Sequence, residues 1–250
     1  MTAYSLPALD THAHIAYDVT PDQVAALGHA HVLAMTRTLG EAEAVRARHD
    51  APLTWALGVH PGRPDALETF DLDRFSALLS TFAVVGEVGL DRRGSLAAQK
   101  KVFGEVLRVC QGAPVLVSIH SAGRVRAVLD LLQAVAVPAP VLHWFLGSES
   151  DLAIAVQSGA YFSVNAAMSR DLVRAIPSDR VLTESDFPGR GTRARRPGDV
   201  TAVEAMLAEA WGVPQDVARH RVWVNFKRLL IASGAIDRVS DALSDHVLSV

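Results

Sequence analysis

The chain is nearly without cysteine. Cys110 stands alone among 250 residues, so no internal disulfide can form, and the expected setting is a reducing one, the cytoplasm. Its apolar, helix-forming neighbours make it a core thiol. Long hydrophobic runs are missing as well. The longest uncharged stretch, residues 131–147, is broken by Pro138 and Pro140 and contains His143, which excludes a membrane span there. No basic start leads into an apolar run, so no secretory leader is expected. No charge of one sign dominates: 24 Lys and Arg stand against 27 Asp and Glu, for a net charge of -3. Bulk attraction to nucleic acid is excluded, and any polyanion site must be a local patch. Linkers rich in Gly or Ser and low-complexity segments are also lacking, so residues 1–250 read as a single domain.

What is present is an alternation. Apolar runs of strand length fall at residues 8–14, 32–36, 54–60, 84–91, 115–120, 141–145, 161–165 and 181–187. Helical patterns lie between them, at 21–30, 41–49, 71–82, 95–111, 125–135, 148–158, 169–176 and 200–211. Thr20 with Pro21, and Ser148 with Asp151, are helix starts; Gly159 and Gly212 are stops. About eight β units, each followed by a helix and mostly apolar, describe parallel strands buried on both faces. That number closes an α/β barrel of the (β/α)8, TIM type. An open doubly wound sheet would want a Gly-rich loop after the first strand, and none is there. In the tail, residues 235–250, Ile236, Val239, Leu243, Val247 and Val250 recur at helical spacing. This stripe either packs on its own barrel or docks on another protein.

The first strand ends in Asp10-Thr11-His12-Ala13-His14. Side chains two apart on a strand share a face, so His12 and His14 converge. The same spacing at His29-Ala30-His31 falls at the start of a strand and reads as structural. Five of the ten histidines lie at strand tips: His12, His14, His60, His120 and His143. Glu87 occupies the tip of strand four, and Glu184 and Asp186 that of strand eight. In a barrel these tips meet at one mouth. The expected site holds two divalent cations, with His12, His14 and Asp186 on one, His120 and His143 on the other, and Glu87 bridging. Mixed imidazole and carboxylate ligands admit zinc, manganese or magnesium. Asp186 is the candidate proton acceptor. Glu184 is a group behind a ligand, a substrate contact or a partner for a neighbouring histidine. His60, before a Pro-Gly turn, is placed to meet a leaving group or a phosphate. Asp186, Glu87, His60 and Glu184 are the candidate catalytic groups.

Taken in order, these motifs resemble the TatD family of metal-dependent hydrolases, in the amidohydrolase superfamily. The likeness runs through Asp10-Thr11-His12-Ala13-His14, Gly58-Val59-His60-Pro61, Gly86-Glu87-Val88-Gly89-Leu90-Asp91, Ser118-Ile119-His120-Ser121, Val141-Leu142-His143 and Leu182-Thr183-Glu184-Ser185-Asp186. It closes with Asn225-Phe226-Lys227-Arg228-Leu229-Leu230 and spans about residues 8–232. The resemblance implies a barrel with two divalent cations and Mg-dependent DNase activity, often as a 3′–5′ exonuclease. The chain departs from the family pattern at Ala13, Arg92, Ser121-Ala122 and the arginine-rich segment 189–196. Its short length, His143-Trp144-Phe145 and Tyr161-Phe162-Ser163-Val164-Asn165 look closest to the TatD-like nuclease of the Qat anti-phage defence system. That likeness implies protein partners in such a system.

Local charge supports a phosphodiester substrate. Arg92 and Arg93 follow strand four, Arg124 and Arg126 follow strand five, and Arg190, Arg193, Arg195 and Arg196 follow strand eight. Guanidinium forks match phosphate oxygens. Trp144 and Phe145, just past a ligand, are candidates to stack an end base, or else core. DNA, held at an end, is the expected partner. Two alternatives stand beside it. One is amide, ester or lactone hydrolysis of a small molecule at the same metal pair. The other is a defence-complex subunit that acts through partner binding.

Overall fold

The apolar runs become eight short parallel strands, and the helical patterns become the helices that return the chain between them. The computed structural model describes residues 6–250. Residues 1–5, part of the stretch searched for a leader, lie outside the described residues. The order is β1 (Ala8–Ala13), α1 (Pro21–Ala25), β2 (Ala30–Ala34), α2 (Leu39–Val45), β3 (Leu53–Leu57), α3 (Pro64–Glu68), α4 (Leu72–Leu79) and β4 (Val84–Gly89). There follow α5 (Leu96–Cys110), β5 (Leu116–His120), α6 (Val125–Ala134), β6 (Val141–His143), α7 (Glu149–Gln157), β7 (Tyr161–Val164), α8 (Arg170–Ala175) and β8 (Val181–Thr183). The chain ends in α9 (Thr201–Trp211), α10 (Gln215–Ser233) and α11 (Asp241–Leu248).

Each strand pairs in parallel with the next, from β1 through β8. The ring closes between the first and last strands. Thr11 Oγ1 donates to the Thr183 carbonyl at 2.9 Å, the Asp186 N–H to the His12 carbonyl at 2.9 Å, and the His14 N–H to the Phe187 carbonyl at 2.7 Å. The architecture is the expected (β/α)8 barrel with C-terminal helices. β2, β4, β6, β7 and β8 are buried along their whole length, as strands covered on both faces must be.

Local chemistry fixes the helix starts. Thr20 and Gln23 form a capping box, as do Ser148 and Asp151. The second helix starts earlier than the sequence suggests, because Thr38 caps it by accepting the Glu41 N–H at 3.1 Å. Strands six and eight end sooner than the apolar runs do. Trp144, just after β6, and Asp186, three residues after β8, adopt left-handed backbone at φ 39° and φ 46°, so neither strand runs on through them. The short α3, opened by Pro64, was not expected.

The largest difference is α10, 19 residues long, of which the sequence motifs mark only the segment 225–230. It seals the end of the barrel opposite the ligand-bearing tips. Trp223 Nε1 donates to the Pro7 carbonyl at 2.9 Å, and Asn225 Nδ2 to those of Ser178 and Val181 at 2.8 and 2.9 Å. α11 packs on it through buried Leu243 and Val247, with the His246 ring 5.6 Å from that of Trp223. The apolar stripe of the tail therefore faces its own barrel. Cys110 is buried, and burial pushes its thiol up to about 12. Among the described residues no helix is long and apolar enough to cross a membrane.

Candidate metal centre

Glu87 is the hub of the mouth, on β4 and 1% exposed. Around its carboxylate stand His143 Nε2 at 2.9 Å, His14 Nε2 and His60 Nε2 each at 3.1 Å, and His12 Nε2 at 3.8 Å. His120 Nδ1 touches the same carboxylate and lies 3.0 Å from His143 Nε2. Asp186 enters from the segment after β8, its Oδ1 3.9 Å from His12 Nε2. Three overlapping sets bring ligand atoms within 4.8 Å of one another: His12, His14 and Glu87; His12, His143 and Asp186; His60, Glu87 and His120. His143, expected beside His120 alone, also belongs with His12, on whose ring it stacks at 3.8 Å and 8°.

The outward nitrogen of each ring decides what the inward one offers. His14 Nδ1 lies 3.2 Å from the Met35 carbonyl, which can only accept, so this nitrogen carries the proton and Nε2 presents a lone pair. His120 Nε2 lies 2.9 Å from the Asp91 carboxylate, so Nδ1 presents the lone pair. His143 Nδ1 faces Glu184 at 3.6 Å, and His12 Nδ1 contacts Ser118 Oγ at 2.9 Å. His60 is built the other way. Its Nδ1 accepts the Gly62 N–H at 2.9 Å, so in the neutral ring Nε2 carries the proton, 3.1 Å from Glu87 Oε2 but without a hydrogen bond to it. The outward acceptors thus leave a lone pair facing the centre on His14 and His120, while His60 carries its proton on that side.

The residues fit divalent cations. His12 Nε2 and Glu87 Oε2 are buried with no hydrogen-bond partner, although a polar atom so placed is costly unless something binds it. Burial pushes the His12 ring well below its usual range, keeping it neutral. Burial alone would raise Glu87, but His60, His120 and His143 around it hold its carboxyl well below the usual range. Burial likewise works against charge on His143, yet Glu87 and Glu184 lift the ring well above its ordinary value. The buried carboxylates thus demand positive charge beside them, which protons or metal cations can supply. Burial, with Glu184 and Glu87 nearby, pushes Asp186 up to about 7. Glu184, fully buried and bonded to Ser163 Oγ, is raised by burial too. It lies behind His143, away from the cavity.

Above the centre opens a cavity of about 730 Å³, lined by His14, His60, His120, Asp186 and, further out, Arg37, Arg92, Arg93, Arg190, Trp144 and Leu146. The predicted arginines divide here. Arg92 and Arg190 line the cavity; Arg193, Arg195 and Arg196 do not. Arg196 turns away and donates to the Ala26 carbonyl at 3.1 Å and to that of Leu27, bracing the end of α1. Arg126 pairs with Asp151 at 2.9 Å. Phe145 is not at the mouth: it is fully buried against Phe162, ring centres 5.3 Å apart.

Several residues escaped the sequence reading. Arg37 lies three residues past β2, behind Met35 and Thr36, where no ionisable strand tip marks it in the sequence. Asp91 holds His120 and is itself held by Arg93 Nε at 2.9 Å. Gln99, on α5, accepts the Asp91 N–H at 3.0 Å and donates to the Pro61 carbonyl at 3.1 Å, tying two mouth loops together. Asp10 accepts from the Ser185 N–H at 2.9 Å, Ser185 Oγ at 2.6 Å and the Gly198 N–H at 2.8 Å. It latches β1 to the segment after β8. Asp91, four residues past Glu87, and Asp10, two before His12, stood in motifs the sequence marks, but their partners did not show there.

A (β/α)8 barrel whose C-terminal strand tips gather imidazoles around buried carboxylates defines a metal-dependent hydrolase. Comparison with known proteins narrows the class. The family model for TatD-related DNases matches residues 9–231, and the chain belongs to that family. It is 28% identical over 196 residues to tatdn3 of Danio rerio, described as a candidate deoxyribonuclease, covering 69% of this chain and 74% of that one. It is 31% identical over 157 residues to the 3′–5′ ssDNA/RNA exonuclease TatD of Cronobacter turicensis, covering 57% of this chain and only 60% of the relative's length. The crystal structure of YjjV, a TatD homologue of Escherichia coli, superposes with a TM-score of 0.74 at 25% identity, covering 88% of this chain and 96% of that one.

Proposed function

We propose that this protein hydrolyses phosphodiester bonds at a nucleic-acid end, as a 3′–5′ DNase, with two divalent cations at the mouth. The observation that carries the reading is the set of five imidazoles and Asp186 gathered around the buried Glu87 carboxylate, with His14 and His120 presenting a lone pair inward and His60 a proton. His12, His14 and Asp186 would hold one cation, His120 and His143 the other, with Glu87 between. Bound there, the cations supply Lewis acidity and lower the pKa of water. Asp186, at the edge of the centre and lining the cavity, orients the attacking water and takes its proton. The His60 Nε2–H donates to the phosphate oxygen that gains charge as the bond to the leaving group breaks. Arg92 and Arg190 hold backbone phosphates above.

The mouth arginines favour a phosphate over the carbonyl of an amide or lactone. Service in anti-phage defence rests on sequence likeness to the Qat nuclease and adds protein partners to the proposal. The test uses end-labelled single- and double-stranded DNA with Mg or Mn. Wild type should release mononucleotides, and Asp186→Asn should lose about 10²–10⁴ in rate. Folded, metal-loaded wild type that leaves every DNA end intact would defeat the substrate assignment.

A further inference from the structure

In a closed ring of eight strands taken in order, β2 and β6 lie opposite each other. The residues just past their tips have opposite chemistry. After β2 comes Arg37, which lines the cavity. Its nearest acid in sequence, Glu41, is engaged elsewhere, accepting the Arg37 backbone N–H at 2.7 Å and facing Arg63 at 3.7 Å. Among the described residues no carboxylate pairs with the Arg37 guanidinium. After β6 comes Trp144, which also lines the cavity, then Leu146, 59% exposed beside it. Phe145, buried between them, anchors this wall in the core. The left-handed backbone at Trp144 is uncommon for a bulky residue, and its N–H is fixed to the Ser163 carbonyl at 3.2 Å.

We propose that these facing walls divide a single-stranded nucleic-acid end between them: the terminal base stacks on Trp144 beside Leu146, and Arg37 takes a phosphate across the mouth. The proposal rests on the phosphodiester reading; the single strand is the form named for the Cronobacter relative, and what is new is the pair of residues that holds its end. An unpaired base has a free face for an indole, whereas a base in a duplex must first leave its stack. The guanidinium opposite supplies the charge that a stacking wall lacks.

The experiment measures binding of a fluorescent, phosphorothioate-linked oligothymidylate and of a blunt duplex to wild type, Trp144→Ala, Trp144→Phe and Arg37→Ala, each checked for metal content and circular dichroism. Trp144→Ala should bind the single strand about 5- to 150-fold more weakly and leave its salt dependence unchanged. Trp144→Phe should recover most of that loss. Arg37→Ala should lower the slope of log K against log salt by about 0.7, the signature of one lost phosphate contact on a single strand. A Trp144→Ala variant that binds like wild type, or an unchanged slope in Arg37→Ala, overturns the division. Wild type that neither binds nor cuts nucleic acid fails the phosphodiester reading itself. Wild type that cuts single strands while the variants match it fails this inference alone.

Discussion

At the scale of the residue, direction matters more than identity. His60 and His120 sit in one potential ligand set with Glu87, but their outward nitrogens differ: one accepts from a backbone N–H, the other meets a carboxylate. His60→Ala should therefore keep its metal and lose about 10²-fold or more in rate, while His120→Ala should lose metal as well. Elemental analysis beside a rate assay separates them, and equal metal loss in both would refute the tautomer argument. Asp91→Asn should weaken metal binding about 10- to 100-fold, because the Asp91 carboxylate fixes the His120 ring. His31 shows the opposite case, a histidine with no part in the site. Burial, aided by His246, pushes it down to about 3, and Thr54 Oγ1 lies 2.9 Å from its Nε2. The folded state keeps this ring neutral, whereas the unfolded chain protonates it near pH 6.5. Its contribution to stability is whole above that pH and is lost as pH falls toward 3. Denaturant melts should show His31→Gln with a flatter decline than wild type between pH 6.5 and 4.

Elements place these residues by where they stop. Strands β6 and β8 give way to left-handed backbone at Trp144 and Asp186, which bends the chain at the mouth. Close approach needs glycine at two tips. A Cβ on Gly89, at φ 137°, would stand 2.1 Å from the His120 carbonyl oxygen, and one on Gly189 would meet Asp186 Oδ2 at 2.4 Å. The arginine-rich segment after β8 is not one surface. Arg190→Ser should flatten the salt dependence of DNA binding, Arg193→Ser and Arg195→Ser should leave it unchanged, and Arg196→Ser should lower the melting temperature instead. Removing residues 241–250 would take away the buried Leu243 and Val247 and uncover the Trp223 ring beneath them. Burial of that kind is worth roughly 1.5–3 kcal/mol per side chain, so the truncation should lower Tm by several degrees.

At the scale of the molecule, the barrel brings together residues 174 positions apart, from His12 to Asp186, around a centre that demands positive charge. Protons and metal compete for His120 and His143, both raised by Glu87 against the pull of burial. Metal affinity should fall as pH drops, with proton release on binding measurable by titration in buffers of different ionisation enthalpy. Chelation should lower Tm, since ions that bind the folded chain alone stabilise it by mass action. A chelator-treated protein that melts at the same temperature would show that the centre holds nothing.

The alternation of apolar runs and helical patterns was enough for the barrel, because parallel strands covered on both faces read as continuous apolar segments. The strand-tip residues His12, His14, His60, Glu87, His120, His143 and Asp186 were legible for the same reason: a buried strand has no other use for a polar end. The second layer was not. Ser118, Asp91, Gln99 and Asp10 are ordinary polar residues until folding sets them against a ring or a loop. Nor could spacing tell Arg190, at the mouth, from Arg196, bonded to α1, since arginines close together on one loop can point to different places. Local pattern along the chain determined the fold and the ligand types. Which nitrogen faces inward, and which arginine reaches the mouth, depended on contacts between segments far apart in sequence, and only the closed barrel decided them.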